Sequence, residues 1–201
     1  MRGRDIKRYG YDFADLWLIN THNGIKEQKI PSIDVNEYPA IKAHLDQYYD
    51  IISKRYDKGD TPYNLRNCIY TDDFSRQKIV WGNLSLSANF CLVENEMFIN
   101  APATMIVPGD KFLLGILNSK LADFYMRHLG VTRNGGYFEY KPMFVEQLPI
   151  PNIDVVIKEK IIDLVDLMLK NNGNNCESHD NELNQIICDI YGLTDSEIAC
   201  L

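Results

Sequence analysis

Between residues 78 and 107 the apolar residues come in four short segments, and this pattern limits that part of the chain to short strands. The segments KIVW, NFCLV, MFI and ATMIV are rich in β-branched and aromatic residues, and turn-prone Asn and Gly residues lie between them. A further strand is expected in YFEY, which follows the loop Arg133-Asn134-Gly135-Gly136, and another in Ala14–Ile19. We therefore expect several short strands rather than long ones.

Helical periodicity flanks this region on both sides. Pro39 suits the first turn of a helix, and apolar residues at helical spacing extend that helix to about residue 57. Asp110 has the character of an N-cap for a second helix over 110–128. Together with the short strands, these helices predict a mixed α+β domain.

The formal net charge of −7 is distributed unevenly along the 201 residues. Residues 1–150 contain 18 Lys and Arg against 18 Asp and Glu, whereas residues 151–201 contain 3 against 10. The second range also carries two predicted helices, 154–171 and 180–191, and a capping box at 194–197. The sequence thus predicts a locally basic domain over 1–150, compatible with a polyanionic partner, and an acidic helical segment over 151–201.

Composition excludes several classes of protein. No apolar run approaches the roughly 20 residues of a membrane-spanning helix, and the basic N-terminus lacks the apolar stretch of a signal peptide. The five cysteines are an odd number and form no C-x-x-C motif, so neither a disulfide framework nor a zinc site is indicated. We expect a cytoplasmic protein with no membrane partner.

The usual signatures of an independent enzyme are missing from the sequence. It has no phosphate-binding glycine loop, no H-E-x-x-H and no G-x-S-x-G. Asp15, Glu27 and Lys29 have the spacing of a magnesium-dependent nuclease site, but a charged turn beside a strand produces the same pattern. We predict no catalytic, cofactor-binding or metal-binding residues in this chain.

Several segments, in this order, resemble the TaqI-like C-terminal specificity domain, the target-recognition part of type IIG restriction–modification enzymes and adenine-specific DNA methyltransferases. The ordered combination carries the likeness, which extends over nearly the whole chain. The end of this series also resembles the recognition domains of type I specificity subunits. The segments are GRDIKRY (3–9), YPAIKAHLDQYY (38–49), KRYDKGDTPYNLRNC (54–68), KIVW (78–81), LLGILNSKLADFY (113–125), NGGYFEYKPMFVEQLPIPNI (134–153) and YGLTDSEI (191–198).

The resemblance implies that the chain is a C-terminal fragment of a larger enzyme that positions double-stranded DNA and specifies its sequence. Such enzymes carry an Asn-Pro-Pro-Tyr motif and an S-adenosylmethionine loop upstream, and neither occurs here. S-adenosylmethionine, and magnesium if the parent enzyme cleaves DNA, are therefore expected only for the parent. Its methyltransferase domain is the expected protein partner.

Three groups of residues are candidates for DNA binding, because Lys and Arg neutralise phosphates while Arg and Asn can read base edges. Each group also has an ordinary interpretation: a solvated arm, a loop whose Asn side chains satisfy turns, and packed core aromatics. In the third group we expect Tyr137 and Glu139 on one face, and Phe138 and Tyr140 on the other. The groups are Arg2, Arg4, Lys7 and Arg8; Lys58, Tyr63, Asn64, Arg66 and Asn67; and Arg127, Arg133, Asn134, Tyr137, Tyr140 and Lys141.

Two other functions stay open at this point. A protein-interaction or assembly module would dock through the acidic C-terminal helices and ignore DNA. A free-standing magnesium-dependent nuclease would depend on Asp15, Glu27 and Lys29.

Overall fold

A computed structural model of the chain describes residues 1–94 and 96–201, and it divides into two compact units. Unit 1 comprises Met1–Asp15 and Asp73–Leu201, and unit 2 comprises Leu16–Asp72. The strands are β1 (Ile6–Lys7), β2 (Gly10–Tyr11), β3 (Lys78–Trp81), β4 (Leu84–Ser85), β5 (Phe90–Val93), β6 (Thr104–Ile106) and β7 (Phe138–Glu139). The helices are α1 (Pro39–Asp46), α2 (Tyr49–Ile52), α3 (Lys111–Leu117), α4 (Lys120–Leu129), α5 (Pro142–Val145), α6 (Val155–Lys170), α7 (Glu177–Ile190) and α8 (Asp195–Ile198).

A three-stranded antiparallel sheet forms the centre of unit 1. Strand β3 lies between β5 and β6, with Val80 opposite Cys91 on one side and Met105 on the other. All four residues of β3 and of β5 are buried, as expected for short apolar segments covered on both faces. Three of the four predicted strands between 78 and 107 are thereby confirmed, in KIVW, NFCLV and ATMIV.

Two predicted strands are wrong. The segment MFI at 97–99 has no regular secondary structure, and neither has Ala14–Ile19. Trp17 is 84% exposed and Leu16 is 64% exposed, so this apolar run has no sheet to cover it. β propensity describes side chains that fit a pleated surface, and it fails for these segments because neither pairs with a strand among the described residues.

The helix predicted over 110–128 is interrupted once. Asp110 caps α3 as predicted, with its carboxylate accepting from the backbone of Leu113 at 2.7 Å. The helix then ends, with Asn118 as its C-cap. Ser119 is extended and caps α4 by accepting from the backbone of Ala122. The helix predicted near 39–57 also divides, into α1 and α2, and α2 ends at Ile52.

Helices α6 and α7 complete the core of unit 1. Buried side chains of α6, such as Ile161 and Met168, share one apolar cluster with Leu183 and Ile187 of α7 and with residues of the sheet and of α3. The predicted helices at 154–171 and 180–191 are thus present, and the capping box at Thr194 opens α8. The predicted division at residue 150 stays a prediction.

Unit 2 is built from α1, α2 and irregular segments that its polar side chains hold together. The amide of Asn64 donates to the carbonyl of Ile33 at 2.9 Å, and the hydroxyl of Thr21 donates to the carbonyl of Tyr63 at 2.7 Å. Across residues 1–94 and 96–201, none of the helices combines the length and the apolar character that crossing a lipid bilayer requires. The predicted α+β fold class is confirmed.

Candidate nucleic-acid interface

A narrow loop over 131–137 extends from unit 1 into solvent. Its two sides are joined by hydrogen bonds from Arg133 to the carbonyl of Tyr137 (2.7 Å) and from Glu139 to the carbonyl of Val131 (3.2 Å). All seven residues of the loop are exposed. Gly135 and Gly136 at the tip have φ angles of +79° and +78°, a region that side chains disfavour, so glycine makes this tight turn possible.

The base of the loop is anchored by a buried carboxylate. Glu139, in β7, is 3% exposed and pairs with Leu84 of β4. Its carboxylate accepts from Nε of Arg133 at 2.6 Å and forms an ion pair with Nζ of Lys141 at 2.8 Å. The hydrogen bond from Lys141 is the largest cause that holds the pKa of Glu139 below its usual range, and the hydrogen bond from Arg133 is the next.

Arg127 is held beside this loop by three contacts. Its Nε donates to Asp123 at 2.7 Å, its Nη2 donates to the carbonyl of Leu86 at 2.8 Å, and its guanidinium lies over the ring of Phe138. Asp123 also accepts from the hydroxyl of Tyr140. The predicted alternation along YFEY is wrong, because Tyr137 is exposed whereas Glu139 and Tyr140 are both buried.

The N-terminal group divides into paired and unpaired cations. Arg2 forms an ion pair with the buried Asp5 at 2.7 Å, and Lys7 forms an exposed pair with Asp12. Arg4 is exposed and forms no ion pair with any residue in 1–94 or 96–201. Of this group, Arg4 is therefore the cation with the least competition for a phosphate.

Arg8 is a structural residue in this fold. Its guanidinium binds both carboxylate oxygens of Asp180, at 2.5 and 2.7 Å, and donates to the carbonyl of Asn118 at 2.6 Å. Together with Arg127 and Lys120 it lines a cleft of about 540 Å³. The structure thus brings two predicted DNA-binding arginines into one cleft, where Asp123 and Asp180 neutralise part of their charge.

In unit 2 the predicted residues differ strongly in exposure. Lys58, Arg66 and Asn67 are exposed, and Asn67 is hydrogen-bonded to Asn23. The hydroxyl of Tyr63 donates to Asp46 at 2.6 Å, which raises the pKa of the Tyr63 hydroxyl. Lys58 donates to the carbonyl of Arg55 at 3.2 Å, so Arg66 is the freer of the two cations in this group.

Asn64 and Tyr140 lie inside their units, and each is 1% exposed. Asn64 satisfies backbone groups of its own unit, and the carbonyl of Tyr140 accepts from the indole of Trp81 at 2.6 Å. Their predicted contact with DNA stays untested, and burial argues against it because a buried polar group already in a hydrogen bond is costly to expose.

The nuclease hypothesis finds no support in the residues that the structure describes. Within 1–94 and 96–201, no group of three or more His, Cys, Asp and Glu side chains could hold a metal ion. Glu27 and Lys29 lie on a short turn, Lys26–Gln28, and the residue after it, and both are exposed. The described residues therefore give the nuclease hypothesis no metal-binding cluster to rest on.

A small α+β domain that presents arginine, asparagine and glycine on exposed loops has the features of a target-recognition domain. The chain belongs to the family of TaqI-like C-terminal specificity domains, whose model matches residues 1–150. The predicted family is confirmed by this match, as is the predicted class of function, a DNA target-recognition domain.

The fold also resembles a solved structure, that of the type IIL restriction-modification enzyme MmeI in complex with DNA. The TM-score is 0.64 at 16% sequence identity, and the match covers 83% of this chain and 26% of that one. This chain thus corresponds to about a quarter of that enzyme's length. The comparison with curated proteins gives no match.

Sequence reasoning missed the two carboxylates that organise the loop cations. The sequence predicts that Glu139 shares a face with Tyr137 but not that it is buried or ion-paired, although its position two residues before Lys141 is the spacing of side chains on one face of an extended segment. Asp123 precedes Arg127 by four residues on α4, the spacing of a helical ion pair. Both spacings are visible in the sequence, but neither reveals that the carboxylates are largely buried.

Proposed function

We propose that this chain binds double-stranded DNA and reads a sequence in it through its exposed loops. The observation that carries the proposal is the loop over 131–137, which presents Arg133 and Asn134 beside two glycines at an entirely exposed tip. Arginine and asparagine are the side chains best suited to bidentate contacts with guanine and adenine in the major groove, and a narrow glycine turn can enter a groove.

The remaining exposed cations supply contacts with the phosphate backbone. Arg4 and Lys7 in unit 1 and Lys58 and Arg66 in unit 2 are all exposed, and lysine and arginine at such positions neutralise phosphates regardless of sequence. Arg2 and Arg8 contribute less, because they are paired with largely buried carboxylates, whereas the pair of Lys7 with Asp12 is exposed and weak.

The proposal extends to a parent enzyme of the type II restriction–modification class, an adenine-specific DNA methyltransferase acting in the cytoplasm. S-adenosylmethionine, and magnesium if the parent cleaves DNA, belong to that parent. This chain has no Asn-Pro-Pro-Tyr motif and, among its described residues, no metal-binding cluster, so we assign it neither group. The parent's methyltransferase domain is the proposed protein partner.

Fluorescence anisotropy with a labelled duplex of mixed sequence, at low salt, tests the proposal. We expect weak binding. The logarithm of the association constant should fall linearly with the logarithm of the salt concentration, with a slope of about −0.9 for each phosphate neutralised. Replacing Lys58 and Arg66 with Gln together is expected to reduce that slope by up to about 1.8.

Lys160→Gln is the matched control, because Lys160 is exposed on acidic helix α6 and pairs with Glu182. It is expected to leave both affinity and slope unchanged. A duplex that fails to bind, or binding that is indifferent to salt, would contradict the proposal and favour a protein-interaction module.

A further inference from the structure

The guanidinium of Arg133 is held from one side only. Its Nε and Nη2 both bond to the same carboxylate oxygen of Glu139, Oε1, while the other oxygen, Oε2, binds Lys141. Within residues 1–94 and 96–201, no other side chain bonds to this guanidinium. Glu139 therefore occupies the edge of the Arg133 guanidinium that carries Nε and Nη2.

The outer edge of the guanidinium stays available. A guanidinium has five N–H donors, and Glu139 uses one on Nε and one on Nη2. The two donors on Nη1 and the second on Nη2 are left, and together they form a fork with the geometry that matches two neighbouring acceptors. The side chain of Arg133 is 54% exposed, so this fork is open to solvent.

Glu139 is itself held in place by its neighbours in unit 1. Glu139 is 3% exposed, its backbone pairs with Leu84, and the next residue, Tyr140, donates its backbone N–H to Asn83 at 2.9 Å. A long arginine side chain on an exposed loop would otherwise lose considerable conformational entropy on meeting a ligand. With Glu139 in place, much of that ordering has occurred before binding.

Resting on the DNA-binding function proposed above, we infer that Arg133 reads a guanine and that Glu139 is the positioning residue that orients it. Guanine presents O6 and N7 as adjacent acceptors in the major groove, which match the free fork of Arg133. Glu139 also neutralises part of the charge of Arg133 and Lys141. It therefore weakens their attraction to phosphates in general while favouring one geometry at a base.

Selection of bound duplexes from a random-sequence library, followed by sequencing, measures this preference directly. The wild-type chain is expected to enrich a motif that contains one G·C pair read by Arg133. Arg133→Lys keeps the charge and the ion pair but removes the fork, so enrichment of that pair should fall about tenfold or more while the salt slope for mixed DNA stays unchanged.

Glu139→Gln tests the positioning role. The variant removes one negative charge and leaves Arg133 and Lys141 without their carboxylate. We expect it to bind mixed DNA more tightly, with a salt slope steeper by about 0.9, and to lose part of the same G·C preference. Glu146→Gln is the control with the same change in charge, since Glu146 is exposed and forms no ion pair with the described residues. It should alter neither slope nor preference.

A purely structural role for Glu139 would instead lower the melting temperature and weaken all DNA binding. If Glu139→Gln does not fold, Glu139→Asp keeps the charge but is too short to reach both cations, and it should lose the preference without changing the slope. Retained preference in the Glu139 variants, or in Arg133→Lys, would overturn the inference. Wild-type protein that binds no DNA would overturn the proposed function itself.

Discussion

Arg8 joins three distant segments of unit 1. Its guanidinium connects the N-terminal segment to Asp180 of α7 and to the carbonyl of Asn118 between α3 and α4. The side chain of Asp180 is 15% exposed and that of Arg8 is 31% exposed, so solvent screens this pair only in part. Arg8 is therefore a structural link in unit 1, and its predicted contact with DNA stays a prediction.

Replacing Arg8 with Ala is therefore expected to lower the free energy of unfolding by about 1–3 kcal/mol, because it leaves Asp180 and a backbone carbonyl without their partner. Urea titration followed by circular dichroism measures this change. Lys7→Ala is the control, since its pair with Asp12 is exposed and should contribute less than about 1 kcal/mol. Unchanged stability with weakened DNA binding would instead identify Arg8 as a DNA contact.

Among the elements, the break between α3 and α4 shows how tertiary contacts override local periodicity. The apolar spacing runs through the break, and it predicts one helix over 110–128. The structure ends α3 at Leu117 because the side chain of Asn118 turns towards β5, where it accepts from the amide of Phe90 and donates to its carbonyl, both at 2.9 Å. A local pattern contains no information about that partner.

Asn118→Ala should remove both hydrogen bonds and leave the buried amide of Phe90 without an acceptor. We expect a loss of about 2 kcal/mol in the free energy of unfolding, measured as a lower urea midpoint with an unchanged slope. Asn134→Ala, in the exposed loop, is the matched control and should change stability by less than about 0.5 kcal/mol. Equal stability of the two variants would show that water replaces the Asn118 contacts.

For the whole molecule, the acidic segment after residue 150 has a structural role as well as a charge. Its helices α6 and α7 bury Ile161, Val165, Leu183 and Ile187 in the same cluster as the sheet of unit 1. Their acidic residues lie mainly on exposed or partly exposed positions. The part of the chain with the charge most unfavourable for DNA therefore also supplies a substantial part of the hydrophobic core.

Truncation after residue 152 tests this role, and with it the predicted boundary at residue 150. We expect the shortened chain to lose cooperative unfolding in urea, because each buried aliphatic side chain removed costs about 1.5–3 kcal/mol and the whole stability of a domain is about 5–15 kcal/mol. The full chain is the control. A cooperative transition in the truncated chain would instead establish 1–150 as an independent domain.

Short-range signals in the sequence were sufficient for the elements that depend on neighbouring residues. The caps at Asp110 and Thr194, the proline that begins α1 and the apolar strands β3 and β5 are all predicted, because capping and β propensity depend on a few neighbouring residues. The ordered segments were also sufficient for the family. The net charge of −7 was correctly divided between a neutral and an acidic part.

Only the tertiary structure decided which cations are free to meet DNA. Arg8 is occupied by Asp180, which lies 172 positions away in the sequence, and Arg133 is oriented by a glutamate that is buried because β7 pairs with β4. Composition counts charges, but a charge can act on a partner only if burial and ion pairing leave it accessible. These two conditions depend on contacts between distant segments, and they add physical support to the glycine-rich tract over 131–137, which the sequence already favours over the denser N-terminal basic group.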